Sequence, residues 1–299
     1  MSAAAVANTL RGTMLVNELM ARHTTWRIGG PADRYYQPAD LTDLTRFLAQ
    51  LPNDEPLFWL GLGSNLLVRD GGIRGTVIAT SGLLNELDFV EGKRIRAEAG
   101  VSCAKVARFG ARAGLTGAEF LAGIPGTMGG ALAMNAGAFG GETWSLVTAV
   151  ETLDRHGCLH RRTPDEYQVG YRTVKGPAGE WFVAAELQLV EGDAEAAQAR
   201  IKELLAKRGD TQPTQLPNAG SVFRNPPGDH AARLIQACGL KGVCEGAACV
   251  SEKHANFIIN TGGATALQVE TLIQRVADAV EKQHGVRLER EVHIVGEAA

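Results

Sequence analysis

The chain has 299 residues, 45% of them hydrophobic and 21% charged, and a net charge of −3, which is enough for one large domain or two ordinary ones with a sizeable core. This slightly acidic balance excludes a dedicated nucleic-acid binder, which carries a basic surplus or stripe. No run approaches the ~18 apolar residues of a membrane helix, and MSAAAVANTLRGTMLVNEL lacks the basic start and apolar core of a secretory signal, so no membrane partner is expected and the expected location is the cytoplasm.

Residues 1–21 read as an N-terminal extension. In ADLTDLTRFLAQL, Leu41, Leu44, Leu48 and Leu51 recur at helical spacing. LFWLGLG reads as a short apolar strand running into SNLLV, and GTVIATS and KRIRAEAG, with alternating Ile95, Ala97 and Ala99, as further strands. Ser102 is placed to cap a helix that Gly114 ends. Residues 121–141, rich in Gly, Ala and Pro, are expected to form no regular element. VTAVETLD, CLHRRT and WFVAAELQLV read as sheet strands. Asp193 is placed to cap a charged amphipathic helix through Lys207, and GDTQPTQLPNAGS reads as a linker. Beyond it come a helix in HAARLIQACGL and a strand in HANFIIN. Thr265 and Gln268 make a capping-box pattern for a helix carrying Leu272, Ile273, Val276 and Val280 and ending at Gly285. LEREVHIVG is the last strand. This gives a β-rich domain over 22–198 and a smaller α+β domain over 199–299.

The five cysteines, Cys103, Cys158, Cys238, Cys244 and Cys249, contain no C-x-x-C. The closest pair, Cys244 and Cys249, lacks the further ligands of a zinc site. The expectation is idle thiols in a reducing compartment, and no metal.

Thirty-six glycines are about 12% of the chain against a usual ~7%, and they cluster. GLGSNLLV follows an apolar strand, as a phosphate-binding turn does, but Leu66 stands where the Rossmann fingerprint needs glycine. On its own this turn fits a tight hairpin as well as a nucleotide loop. GIPGTMGGALAMNAGAFG, Gly123 to Gly140, is expected to expose consecutive backbone N–H groups as a nest for a pyrophosphate. TTWRIGGPA adds a third glycine turn beside Arg27. Three such turns separated by strands point to one extended dinucleotide cofactor.

TTWRIGGPA, GLGSNLLVRDGGIRG, GIPGTMGGA-x-x-MNAGAFG, GYR, AGSVFRNP, KHANFIIN and LEREV occur in this order over about residues 20–296, and the set resembles the UDP-N-acetylenolpyruvoylglucosamine reductase family. The resemblance implies an FAD-binding fold of the vanillyl-alcohol-oxidase (PCMH) type in two lobes over 22–198. A C-terminal substrate domain would occupy 199–299. It implies non-covalent FAD, NADPH as hydride donor, and reduction of UDP-N-acetylglucosamine enolpyruvate to UDP-N-acetylmuramate in peptidoglycan synthesis, by a monomer or weak oligomer. GYR runs directly into TVKGPAGEWFVAAELQLV, as in the shorter, second type of the family, with no room for a tyrosine-bearing insertion over the nucleotide. The cofactor contacts implied are Arg27, Gly61, Gly63, Ser64, Asn65, Leu66, Gly123, Ile124, Pro125, Gly126, Thr127, Gly129, Gly130, Asn135, Ala136 and Gly137.

That reaction adds hydride to an alkene conjugated to a carboxylate, then a proton to the adjacent carbon, so donors must stabilise charge growing on the carboxylate. A guanidinium fork suits this, and by resemblance Arg172 is that group. Glu291 matches the family's glutamate, which must be protonated to donate a hydrogen bond. Glu289, two residues earlier, shares its face if the strand is regular. A nucleophilic Ser221 would need a histidine base and an acidic orienter, which NAGSVFRNP does not supply. By resemblance Ser221 is the proton donor to the enolate carbon. Tyr171, Asn225 and His254 are assigned to the substrate, and Arg224 to its diphosphate. The alternatives are another flavoenzyme of this fold, such as an alcohol or sugar oxidase, and a non-catalytic nucleotide-sugar binder. RDGGIRG holds no histidine or cysteine to tether a flavin.

Overall fold

The computed structural model describes residues 9–299. The chain forms two compact units. One holds residues up to Leu15, Arg34–Gly61 and Gly75–Gln198, and the other Val16–Asp33, Leu62–Arg74 and Ala199–Ala299. Residues 16–33 and 62–74, which the sequence groups with the N-terminal extension and the β-rich region, thus fold with the last hundred residues.

The first unit is built on a five-stranded antiparallel sheet in the order Leu159–Arg162, Val147–Asp154, Glu180–Gln188, Arg94–Glu98, Leu87–Val90. The expected alternation holds in Arg94–Glu98, where Ile95 and Ala97 are fully buried. Leu57–Leu60 pairs in parallel with the second half of Ile73–Ala79. Helix α1, Leu41–Gln50, is capped by Asp40, whose carboxylate accepts the Asp43 N–H at 2.8 Å. Helix α2, Cys103–Arg112, is capped by Ser102 and followed by Gly114 at φ +70°. Tyr36, Leu44, Phe47, Leu48, Ile78, Leu84, Leu153 and Val183 form a core beneath α1.

The stretch expected to be irregular, 121–141, contains helix α3, Met128–Met134, and two short paired strands, Gly137–Ala138 and Gly141–Glu142. Ala, Leu and Met between the glycines supply helix propensity. Gly129 is required because a Cβ there would lie 2.9 Å from the Ala99 Cβ. Here close packing, and not backbone flexibility, calls for glycine.

Asp43 on α1 is 0% exposed. Its carboxylate accepts the N–H groups of Arg11 (2.7 Å), Gly12 (3.0 Å) and Ala39 (3.0 Å) and the Tyr36 hydroxyl (2.5 Å). Burial pushes this carboxyl upward, but the tyrosine and the amides outweigh it and hold it below the ordinary range. Stabilisation from a depressed carboxylate is present above the unfolded value of ~3.9 and is lost as pH falls through the folded one. Asp43→Ala is expected to cost about 3 kcal/mol at pH 7, since it leaves four donors without their acceptor. Urea unfolding should show that deficit, and should show it shrinking below about pH 4.

Helix α4, Ala194–Thr211, has its first five residues in the first unit and the rest in the second. It starts where Asp193 accepts the N–H groups of Glu195 and Ala196 and runs four residues past the expected Lys207. The Thr211 hydroxyl donates back to the Lys207 carbonyl and satisfies that last turn. Helix α5 is Ala231–Ala237, and helix α6, Ala266–His284, has the Thr265–Gln268 capping box and ends at Gly285 (φ +67°). The Asp70 carboxylate accepts the N–H groups of Ala266 (2.9 Å) and Leu267 (3.0 Å), and the Arg69 fork grips Glu270 with two 2.9 Å bonds. These bonds, together with the parallel pairing of Leu66–Val68 with His293–Val295, place 62–74 in this unit. The core gathers Trp26, Leu67, Phe223, Leu234, Ile258, Leu272 and Val276.

Two expectations are corrected here. Cys244 and Cys249 are not idle thiols: they face each other across the hairpin of Cys244–Glu245 with Ala248–Val250 and form a disulfide. LEREVHIVG is a regular strand only over His293–Val295. Upstream, the N–H groups of Glu291 and Val292 both donate to the Val222 carbonyl (2.8 and 3.3 Å). This bulge-like doubling breaks strict side-to-side alternation, so Glu289 and Glu291 do not share an environment. Among the described residues no helix is long and apolar enough to cross a membrane, and no cluster of three or more His, Cys, Asp or Glu side chains is placed to hold a metal.

Candidate active site

In the first unit the guanidinium of Arg172 sits at the tip of the hairpin Gln168–Gly170 with Thr173–Lys175. Its φ is +53°, the left-handed region that a type II turn demands at its third residue and that glycine or asparagine normally fills. Nη1 donates to the Asn135 carbonyl at 3.3 Å and Nη2 to the Gly137 carbonyl at 2.9 Å. The fork also lies 4.9 Å from the centre of the exposed Tyr171 ring. Asn135, itself at φ +47° as the C-cap of α3, binds both neighbouring segments: Nδ2 donates to the Gly170 carbonyl and to Glu142, and Oδ1 accepts the Trp144 N–H. Its side chain is thus engaged with the protein, and its backbone carbonyl holds the Arg172 guanidinium.

The GIPGTMGG turn offers fewer amides than a nest would. The N–H of Ile124 donates to Leu121, Gly126 to Ile124, Met128 to Val101 and Gly129 to Ala99. The Thr127 hydroxyl, however, is buried without a partner although Thr127 occupies the N-cap of α3. A Cβ on Gly61 would stand 2.5 Å from that oxygen, so glycine keeps space open in front of it. Next to this gap is a cavity of about 330 Å³ walled by Trp59, Gly61, Gly129, Gly130, Tyr167 and Trp181. Its two indoles stack at 5.3 Å, and the Trp59 Nε1 and the Tyr167 hydroxyl are buried without partners. Burial first, and then Glu180, push the Tyr167 hydroxyl up to about 12, which keeps it a neutral donor. Size and wall chemistry, apolar faces with a few unsatisfied polar groups, suit a purine or a similar flat heterocycle. Trp59, Tyr167, Glu180 and Trp181 were not singled out from sequence; only the apolar strand carrying Trp59 signalled its neighbourhood.

In the second unit the remaining two glycine turns meet. Gly63 stands at φ +67°, with the His23 carbonyl 2.3 Å from where a Cβ would be. Its own carbonyl accepts the Thr25 N–H at 3.2 Å, and the Thr25 hydroxyl donates to the Asn218 carbonyl at 2.6 Å. The TTWRIGG, GLGSN and NAGS turns are thus bound together. Arg27 is exposed at φ +57°, Ser64 and Asn65 are half-buried, and Leu66 is core. The Asn65 Nδ2 donates to the Glu291 carbonyl at 3.1 Å, and the Asn65 carbonyl accepts the His293 N–H.

Ser221 lies half-buried in a segment held by its successors. The Arg224 N–H donates to the Glu289 carbonyl and Phe223 bridges Arg290, so Ser221 and Glu291 flank one piece of backbone pairing. Glu291 is half-buried, whereas the Glu289 side chain is 78% exposed and lies 3.9 Å from Arg224. The Asn225 Oδ1 accepts the Ala231 N–H at 3.1 Å, at the start of α5. His254 accepts the Asn256 N–H on Nδ1 (3.3 Å), which leaves its proton on Nε2. Burial, then Lys241, lowers its affinity for a second proton, so it stands as a neutral donor at neutral pH.

Residues 32–162 match the family described as the FAD binding domain, and 212–295 that described as UDP-N-acetylenolpyruvoylglucosamine reductase, C-terminal domain. The reductase of that name from Alkalilimnicola ehrlichii is 67% identical over 94% of this chain and 94% of its own. The one from Methylococcus capsulatus is 63% identical over 99% and 98%.

The chain belongs to the UDP-N-acetylenolpyruvoylglucosamine reductase family.

The crystal structure of the Thermus caldophilus reductase superposes with a TM-score of 0.82 at 36% identity, over 96% of this chain and 99% of that one. As a member of this reductase family with an FAD-binding domain, the protein is a flavin-dependent oxidoreductase.

Proposed function

We propose that Arg172, Ser221 and Glu291 carry the family's reduction of the enolpyruvyl ether of UDP-N-acetylglucosamine enolpyruvate to the lactyl ether of UDP-N-acetylmuramate. Bound FAD, replenished from NADPH, supplies the hydride. The observation that carries the reading is the hold on Arg172: a guanidinium fixed by two carbonyls at a strained turn is pre-set for a carboxylate. Its fork meets the substrate carboxylate and takes up charge as the alkene is reduced. Glu291, protonated, adds a second hydrogen bond there, and its half-buried position favours it over the exposed Glu289. Ser221 passes its proton to the enolate carbon. Asn225, Tyr171, Arg224 and the neutral His254 are read as substrate contacts. For the substrate the protein acts alone or in a weak oligomer, in the cytoplasm.

FAD is non-covalent in this reading. The unpartnered Thr127 hydroxyl and the open space at Gly61 suit a phosphate, and the Trp59–Trp181 cavity with its unpartnered Tyr167 hydroxyl suits the adenine. Ser64, Asn65 and Arg27 complete the set. Tyr167→Phe removes a hydroxyl that has no partner in the protein, so the apoprotein should melt no earlier than the parent. FAD affinity should fall by about fivefold, the equivalent of one hydrogen bond of ~1 kcal/mol. Titration of apoprotein with FAD, followed by flavin fluorescence, checks this, and unchanged affinity would remove Tyr167 from the cofactor set.

The whole reading is tested by anaerobic addition of NADPH, which should bleach the flavin, followed by UDP-N-acetylglucosamine enolpyruvate, which should restore its colour. Failure of NADPH to reduce the flavin would favour the oxidase alternative.

A further inference from the structure

The segment carrying Ser221 has no regular strand of its own, and Gly220 before it sits at φ +74°. Something else must fix its backbone if the hydroxyl is to meet a particular carbon. One edge is held by the pairing with 289–292 already described. At residues 222 and 223 the other edge is held by Asn256. Its backbone carbonyl accepts the Val222 N–H at 2.9 Å. Its side chain then continues the ladder: Oδ1 accepts the Phe223 N–H at 3.0 Å, and Nδ2 donates to the Phe223 carbonyl at 2.8 Å.

A carboxamide presents the same donor and acceptor as a peptide group, so this side chain replaces one residue of a neighbouring strand. The main chain could not do so, because its course bends away there: the Phe257 N–H turns back to the His254 carbonyl and the Asn256 N–H to the His254 ring. Asn256 is 3% exposed. Both bonds are therefore shielded from water, and an unpaired group at either end is costly.

We propose that Asn256 is the positioning residue for Ser221. This rests on the reading of Ser221 as proton donor. Proton transfer requires the donor within about 2.6–3.2 Å of its acceptor, and a displacement of ~1 Å costs on the order of 10²-fold in rate. With residues 222 and 223 gripped on both edges, the side-chain torsion of Ser221 is the principal freedom left to its hydroxyl. Asparagine is specific here: aspartate has no donor for the Phe223 carbonyl, and glutamine carries its amide one methylene too far.

The test is Asn256→Ala in the full-length holoenzyme, with Asn256→Ser as the second variant should alanine not fold. Exchange of the Phe223 amide proton, followed by NMR, should quicken while amides within α6 keep their protection. Anaerobic reduction of the flavin by NADPH should stay within about twofold, and reoxidation by the enolpyruvyl nucleotide should slow by about 10–100-fold. The solvent deuterium isotope effect on reoxidation should rise as proton delivery becomes limiting. Ser221→Ala combined with Asn256→Ala should reoxidise no more slowly than Ser221→Ala alone. Equal slowing of both half-reactions, or full additivity in the double variant, overturns the proposal. Parent-like reoxidation in Ser221→Ala overturns the proton-donor reading and this inference with it. Slow reoxidation in Ser221→Ala beside parent-like reoxidation in Asn256→Ala overturns this inference alone.

Discussion

Ser221→Ala is expected to retain FAD and to take up reducing equivalents from NADPH at close to the parent rate, while reoxidation by the enolpyruvyl nucleotide slows by about 10²–10⁴-fold, the usual worth of a positioned general acid. The two half-reactions separate because only the second needs a proton delivered to carbon. An alcohol is a poor acid toward oxygen or nitrogen, but the enolate carbon is basic enough to accept its proton once the alkoxide left behind is relieved by water or a cation. The backbone on either side of Ser221 is held by other residues and not by the hydroxyl, so removing one oxygen should leave the fold as it is. Stopped-flow absorbance of the flavin with each substrate in turn separates the steps, and reoxidation at the parent rate would end the assignment. If both steps slow equally, the serine is structural.

Arg172 should show the second large effect. Arg172→Lys is expected to lower kcat by about 10²–10³-fold, the range for loss of one oriented donor to a developing charge, because an ammonium cannot reproduce the planar fork. A lysine would also give up the paired bonds to the Asn135 and Gly137 carbonyls. Stability should move differently. At φ +53° a Cβ costs about 1 kcal/mol relative to glycine, so Arg172→Gly should be about that much more stable than Arg172→Ala although both lack the guanidinium. Thermal unfolding of the pair checks this. Equal melting points would mean that the turn relaxes in the variants and that the conformation carries no strain. A side chain held in an unfavourable backbone conformation at a reacting position is the expected signature of strain retained for function.

What could be read from sequence follows the range of each interaction. Ser102 and Thr265 act on amides three residues away, so their caps were visible in the letters, as was the stop at Gly285. Asn256 acts on Phe223 across 33 residues, and nothing within KHANFIIN marks its side chain as a strand substitute. The Trp59–Trp181 stack likewise joins residues far apart in the chain, which come from two different sheets. Glycine misled in one place: in GIPGTMGG it was read as freedom to bind, whereas Gly129 is glycine because Ala99 lies against it. The Glu289–Glu291 ambiguity came from assuming a regular strand. Two successive amides share the Val222 carbonyl instead, and the two side chains differ in exposure.

The second unit is assembled from three separate stretches of chain, and this governs how the protein can be made. Residues Leu66–Val68 emerge from the ribosome early, yet their partners are His293–Val295, and Arg69 donates to a carbonyl 227 residues downstream. During synthesis the edge of that early strand waits unpaired, with Leu66, Leu67 and Val68 exposed to solvent or to chaperones. Bringing such distant partners together carries a loop-closure cost that slows folding, and an open apolar edge of this kind invites association with other nascent chains. Slow translation of the last hundred codons should therefore raise the aggregated fraction, while the first unit's five-stranded sheet, complete by Gln188, can form well before release.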